Sequence, residues 1–68
     1  MLHIILNPVA GKGRPVRLLP AVESVLSARG LTWRTLKTEY AGHAPKLVRE
    51  ALSKGTDGLI ILGGDGTA

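Results

Sequence analysis

The chain is 68 residues long, 44% apolar and free of cysteine, and nine Lys+Arg against five Asp+Glu leave it at +4. These numbers exclude disulfide scaffolds, cysteine zinc sites and thiol nucleophiles. The apolar runs are about five residues, far short of the roughly 20 that span a bilayer. The start, Met-Leu-His-Ile-Ile-Leu-Asn-Pro, has no basic stretch and too short an apolar run for a signal peptide, so the expected compartment is the cytoplasm. Low complexity is absent, and the composition is that of an ordered domain. Size is the tightest bound. A chain of about 60 residues buries only about 60% of its unfolded surface, and this sequence ends in a glycine loop directly after an apolar run. It reads as the first part of a larger domain rather than as a complete mini-domain.

Leu2 to Leu6 is short, apolar and β-branched and stops at Asn7-Pro8, the pattern of a buried strand. Asn7 to Arg14 is a loop with Pro8, Gly11 and Gly13. Pro15 to Arg29 turns helical, with Leu18, Leu19, Val22, Val25 and Leu26 on one stripe. Gly30 stands where a left-handed residue would end that helix. Pro20 leaves two readings: the regular helix starts near it, or it kinks the first turns. Leu31 to Lys37 is a second strand, less apolar and so placed near a sheet edge. Thr38 to Gly42 is a loop. Ala44 to Lys54 is a second helix with Pro45 in its first turn, a stripe of Ala44, Leu47, Val48, Ala51 and Leu52, and Gly55 as its stop. Gly58 to Leu62 is a third strand, read like the first as buried on both faces. The order β-α-β-α-β implies an α/β fold with a parallel sheet and right-handed crossovers.

Two glycine loops follow the two most apolar strands. In open α/β sheets ligands bind outside the carboxyl ends of strands, and glycine lets backbone N–H groups approach an anion. Asn7-Pro8-Val9-Ala10-Gly11-Lys12-Gly13 and Gly63-Gly64-Asp65-Gly66-Thr67 are therefore expected to face one phosphate-binding crevice, with Lys12, Arg14 and Arg17 adding positive potential. Neither standard phosphate loop fits. The pattern G-x-x-x-x-G-K-[ST] would need Gly and Ser/Thr where Leu6 and Gly13 stand, and G-x-G-x-x-G finds Val16 at its third glycine. Asp65 has two readings: it holds Mg²⁺ or orients a ribose hydroxyl, or it forms a turn by bonding nearby backbone N–H groups.

Other residues read as structural. His43 is a capping or loop residue at a helix start, His3 a strand residue with no second ligand nearby in sequence, and Trp33 a packing residue. One Trp and one Tyr without basic interleaving make no nucleic-acid platform.

Asn7-Pro8-x-Ala10-Gly11-x-Gly13, then Thr38 with Gly42-His43-Ala44 opening a helix, then a strand and Gly63-Gly64-Asp65-Gly66-Thr67, together resemble the N-terminal part of the diacylglycerol kinase catalytic domain. That family includes bacterial soluble lipid kinases, sphingosine kinases and ceramide kinases, and it shares its fold and glycine loop with NAD kinases. The resemblance covers essentially the whole chain. It implies a three-layer domain, residues 1–68 being its ATP-binding part, cut after the glycine loop. It implies an enzyme that moves phosphate from ATP with Mg²⁺ to a lipid hydroxyl, working in the cytoplasm at the inner membrane face. By position, Asn7, Pro8, Ala10, Gly11 and Lys12 match the segment that contacts ATP, and Thr38 a threonine that reaches its phosphates. Gly63, Gly64, Asp65, Gly66 and Thr67 match the loop that wraps the nucleotide, with Asp65 as the catalytic carboxylate. The family's general base and structural magnesium site lie downstream, in a β-rich domain outside this chain. The acceptor lipid and the oligomeric state stay open, a homodimer among the options. Two other functions compete: an NAD kinase-like enzyme, against which the Asn7 loop and the Thr38/Gly42-His43-Ala44 pair argue, and a regulatory module that binds nucleotide without catalysis.

Overall fold

The computed structural model describes residues 1–40 and 42–63. Three strands, β1 (Leu2–Leu6), β2 (Trp33–Lys37) and β3 (Leu59–Leu62), alternate with two helices, α1 (Arg14–Ala28) and α2 (Ala44–Ser53). The strands form one parallel sheet in the order β2-β1-β3. The chain steps from β1 to one side and then returns past β1 to the other. Right-handed crossovers in opposite directions carry the two helices to opposite faces. The result is the parallel α/β arrangement expected from the element order, in the three layers that the resemblance implies.

Strand β1 is the centre of the core. Ile4 and Leu6 point to one face, His3 and Ile5 to the other, and all four are buried. Leu26 from α1 and Leu47 and Ala51 from α2 are also buried. Burial on both faces is what a central parallel strand needs, and it explains why Leu-His-Ile-Ile-Leu carries no polar alternation. The buried His3 is compatible with this because its Nδ1 shares a 2.6 Å hydrogen bond with Thr56 Oγ1. The structural reading of His3 stands, and its partner sits in the turn before β3.

Both helix stops fall where the glycines stand. Gly30 (φ +70°) and Gly55 (φ +76°) are left-handed. The N–H groups of Gly30 and Leu31 bond back to Ser27 and Leu26, and those of Gly55 and Thr56 to Leu52 and Ala51. These paired bonds cap carbonyls that the helix leaves free. Each helix also has a proline in its first turn, where a missing N–H costs nothing.

Three expectations need correction and one is extended. Strand β3 is not buried on both faces. It is an outer strand, and Ile61 is 50% exposed. The predicted α1 stripe is only partly covered, since Leu18 and Val25 lie open. Pro20 does not start α1, which runs from Arg14 to Ala28 with the proline inside it. Pro20 and Val16 are both exposed, so the Val16 carbonyl that the proline ring cannot bond is on the wet side of the helix. Trp33 does more than pack: its Nε1–H donates to Glu23 Oε2 at 3.1 Å, tying β2 to α1.

Candidate functional site

Asn7, Thr38 and Gly63 are each the first residue past a strand. The register aligns Leu6 with Lys37 on one side and with Leu62 on the other, so these three residues stand side by side at the carboxyl edge of the sheet. Two backbone bonds hold them there. The Thr38 N–H donates to the Leu6 carbonyl at 2.8 Å, and the Asn7 N–H to the Leu62 carbonyl at 3.0 Å.

The first loop is built on Asn7. Its Oδ1 accepts the Val9 N–H at 3.2 Å, and its carbonyl accepts the Ala10 N–H at 3.3 Å. Pro8 fixes the chain between them. Ala10–Gly13 then makes one tight turn in which Gly11, Lys12 and Gly13 are all left-handed, with φ of +53°, +58° and +85°. Glycine takes this conformation freely, whereas lysine does not. The Lys12 carbonyl accepts a 3.2 Å bond from Arg17 Nη1, which braces the turn against the first turns of α1. Gly13 opens α1 without a side-chain cap. Lys12, Arg14 and Arg17 are exposed around it.

Gly63 joins the third strand to this loop. A Cβ there would lie 2.8 Å from Pro15 Cγ and 3.1 Å from the Cβ atoms of Ala10 and Asn7. Its φ of +88° is also left-handed. Only glycine fits, and the neighbours that require it belong to the other glycine loop and to α1. The first residue of the second loop thus packs directly on the first loop. Gly64, Asp65, Gly66 and Thr67 lie outside the described residues.

Beside this junction is a cleft of about 230 Å³ lined by Asn7, Pro8, Val9, Thr38, Glu39 and Tyr40. Complete small-molecule pockets run to roughly 300–1,000 Å³, so this one has room for part of a ligand. Three residues expected at the site, Asn7, Pro8 and Thr38, share its lining. Ala10 and Gly63 pack beside it against Asn7. Gly11 and Lys12 lie in the exposed turn and are not among the lining residues.

Glu39, Tyr40 and His43 were not among the residues expected at the site. His43 is the N-cap residue of α2, but its side chain caps nothing. It is buried, and its Nδ1 accepts the Glu39 N–H at 3.0 Å. Its ring stacks on Tyr40, with centroids 4.3 Å apart and planes 18° from parallel. The loop half of the sequence reading holds and the side-chain cap does not. Position was the available signal, because Tyr40 stands two residues past Thr38 in a loop that leaves a strand.

Among the described residues no three His, Asp or Glu side chains gather as a cation would require. The shifted carboxyl is far away, at the amino edge of the sheet. There the amino-terminal ammonium bonds Asp57 and lowers its pKa by that bond and by its charge.

Comparison with known proteins gives a consistent set of relatives. The profile of the diacylglycerol kinase catalytic domain matches residues 1–68. Sphingoid long-chain bases kinase 1 of Arabidopsis thaliana is 37% identical over 65 residues, covering 93% of this chain and 8% of that protein. The human mitochondrial acylglycerol kinase is 38% identical, with 94% of this chain and 15% of that protein covered. The diacylglycerol kinase of Staphylococcus carnosus is 38% identical, with 96% and 21% covered. The chain thus spans about a fifth or less of these relatives. No solved structure matches it.

Proposed function

The chain belongs to the diacylglycerol kinase catalytic-domain family, and on that premise we propose that it forms part of the nucleotide site of an ATP-dependent lipid kinase. The relatives named above all carry lipid-kinase names. The observation that carries the reading is the junction at Gly63. The position its Cβ would take is occupied by Asn7, Ala10 and Pro15, so Gly63 packs on the first glycine loop at the carboxyl edge of the sheet, where open α/β folds bind their ligands.

The residues fit a polyphosphate nucleotide. Asn7 and Thr38 line the cleft and carry an amide and a hydroxyl, groups able to hydrogen-bond phosphate oxygens. The uncapped start of α1 and the exposed Lys12, Arg14 and Arg17 supply positive potential next to it. In the reaction the bond from the γ-phosphorus to the bridging oxygen of ADP breaks, and a bond to the lipid hydroxyl oxygen forms. The hydroxyl proton passes to a base that we assign to another part of the protein. Positioning and electrostatics carry such transfers. Asn7 and Thr38 would orient the phosphates, and the basic residues would offset their charge. The described residues offer no cation cage, so no step is assigned to Mg²⁺. In this reading Mg²⁺ comes with ATP, and Asp65 is assigned a role in catalysis on that nucleotide. The lipid would be met at the cytoplasmic membrane surface. Among the described residues no helix is long and apolar enough to cross a membrane.

The test uses the intact protein with ATP and vesicles containing diacylglycerol, monoacylglycerol or sphingosine, with NAD in a parallel arm. Lipid phosphorylation is expected, with Thr38→Val raising the KM for ATP about tenfold, the loss of roughly one hydrogen bond to a charged group. Asp65→Asn should lower kcat about 10²-fold, equivalent to roughly 2.7 kcal/mol, with an unchanged melt. Phosphorylation of NAD and of no lipid would overturn the assignment.

A further inference from the structure

We propose that Tyr40 is the stacking surface for the nucleobase, and that His43 holds it in place. The inference rests on the nucleotide reading of the cleft and adds a residue and a role to it. Tyr40 lines the cleft with Asn7 and Thr38, yet it is 57% exposed. One face of its ring lies on the His43 imidazole, and that imidazole is buried and fixed by the Glu39 N–H. The backbone adds a second restraint, since the His43 N–H donates to the Tyr40 carbonyl at 3.1 Å. Gly42, left-handed at φ +83°, closes this turn. The ring is thus held from behind, and its second face is not covered by the imidazole. An aromatic face of this kind stacks a flat heterocycle without needing to match its edge. Thr38 lies two residues away on the same loop, so one short segment can hold phosphate through the hydroxyl and base through the ring.

The experiment compares the binding of ATP and of inorganic tripolyphosphate to the intact protein by calorimetry. Tripolyphosphate has the charge but no base. Tyr40→Ala should weaken ATP about tenfold, leave tripolyphosphate unchanged, and raise the KM for ATP while sparing kcat at saturation. Tyr40→Phe, which keeps the ring, should bind ATP like the parent protein. Should the alanine variant melt early, Tyr40→Leu fills similar space without an aromatic face and gives the same comparison. Unchanged ATP affinity in the alanine and leucine variants, or equal losses for ATP and tripolyphosphate, would overturn the role of Tyr40. Thr38→Val separates the two levels. If it weakens both ligands while Tyr40→Ala weakens neither, the nucleotide site stands and the stacking proposal fails. If Thr38→Val changes neither, the nucleotide reading fails and the proposal falls with it.

Discussion

Lys12 has φ +58° and ψ +36° between two left-handed glycines. A left-handed backbone costs an L residue about 1–2 kcal/mol, and glycine escapes that cost while losing about 0.5–1 kcal/mol of extra chain entropy on folding. In a helix glycine is about 1 kcal/mol worse than alanine. At position 12 the order should reverse, with Lys12→Gly more stable than Lys12→Ala by about 1 kcal/mol in urea unfolding of the intact protein. The alanine variant equalling or exceeding the glycine variant would show that the turn is not left-handed there. Gly11 belongs to the same turn, and its Cβ position meets only Arg14 Cβ at 3.6 Å, ordinary contact. Its φ of +53° calls for glycine by itself, the first of the two reasons for glycine in this loop, beside close approach of an anion. His3 illustrates what sequence hides at this scale. That it is structural follows from a lone histidine in an apolar strand, but Thr56, its partner, is 53 residues away. Thr56→Val keeps the shape and removes the hydroxyl, leaving a buried imidazole nitrogen unpaired at about 1–3 kcal/mol. Adding His3→Leu should recover most of that loss in a double-mutant cycle, and full additivity of the two changes would refute the pairing.

The elements were readable because their ends carry chemical signals. Gly30 and Gly55 end helices for the reason that left-handed caps select glycine, and Pro15 and Pro45 sit where a missing N–H is harmless. What could not be read was how much of each element is covered. Leu59 to Leu62 is as apolar as β1, yet it lies at the rim of the sheet. An apolar run looks the same in a central strand and in an outer one, and strand order depends on the side each crossover takes. Gly63 falls between the two cases. Its position after a strand marked it as a site residue, but its structural reason is contact with Pro15, Ala10 and Asn7. A paired measurement isolates that contact. Gly30 is also left-handed, but a Cβ there meets nothing within 4 Å. Gly30→Ala should cost about 1 kcal/mol from conformation alone. Gly63→Ala adds overpacking and should cost about 3 kcal/mol, with a raised KM for ATP because Asn7 is displaced. Equal costs in the two variants would mean that the loops are not packed as described.

For the whole molecule, the site was legible as far as one strand edge can be read. Asn7 and Gly63 were picked out by their place after apolar strands and Thr38 by the family resemblance, and parallel register brings the three together. Glu39 and Tyr40 were missed because a loop sequence does not say which side chains turn toward a cleft. The accessible surface of the chain is 4456 Å², against about 4,100 Å² for a compact monomer of its mass and about 10,400 Å² for the extended chain. Somewhat more than half of the extended surface is therefore buried, the marginal range for a domain without disulfides. The sheet also has open outer strands on both sides, β2 and β3. Ile61, 50% exposed, leaves apolar surface on the outer strand β3. An outer strand that is apolar and uncharged is a template for pairing with another chain. Residues 1–68 expressed by themselves should accordingly self-associate and bind a hydrophobic dye, with a broad, concentration-dependent thermal transition. Ile61→Lys places a charge on the exposed side of that strand and should reduce the association without altering β1, because β1 pairs through backbone groups that the substitution leaves in place. Sedimentation with the melt, for both versions of the segment, decides the matter. A soluble monomer with a sharp, concentration-independent transition in the unsubstituted segment would show that this core stands alone and that the β3 rim needs no cover.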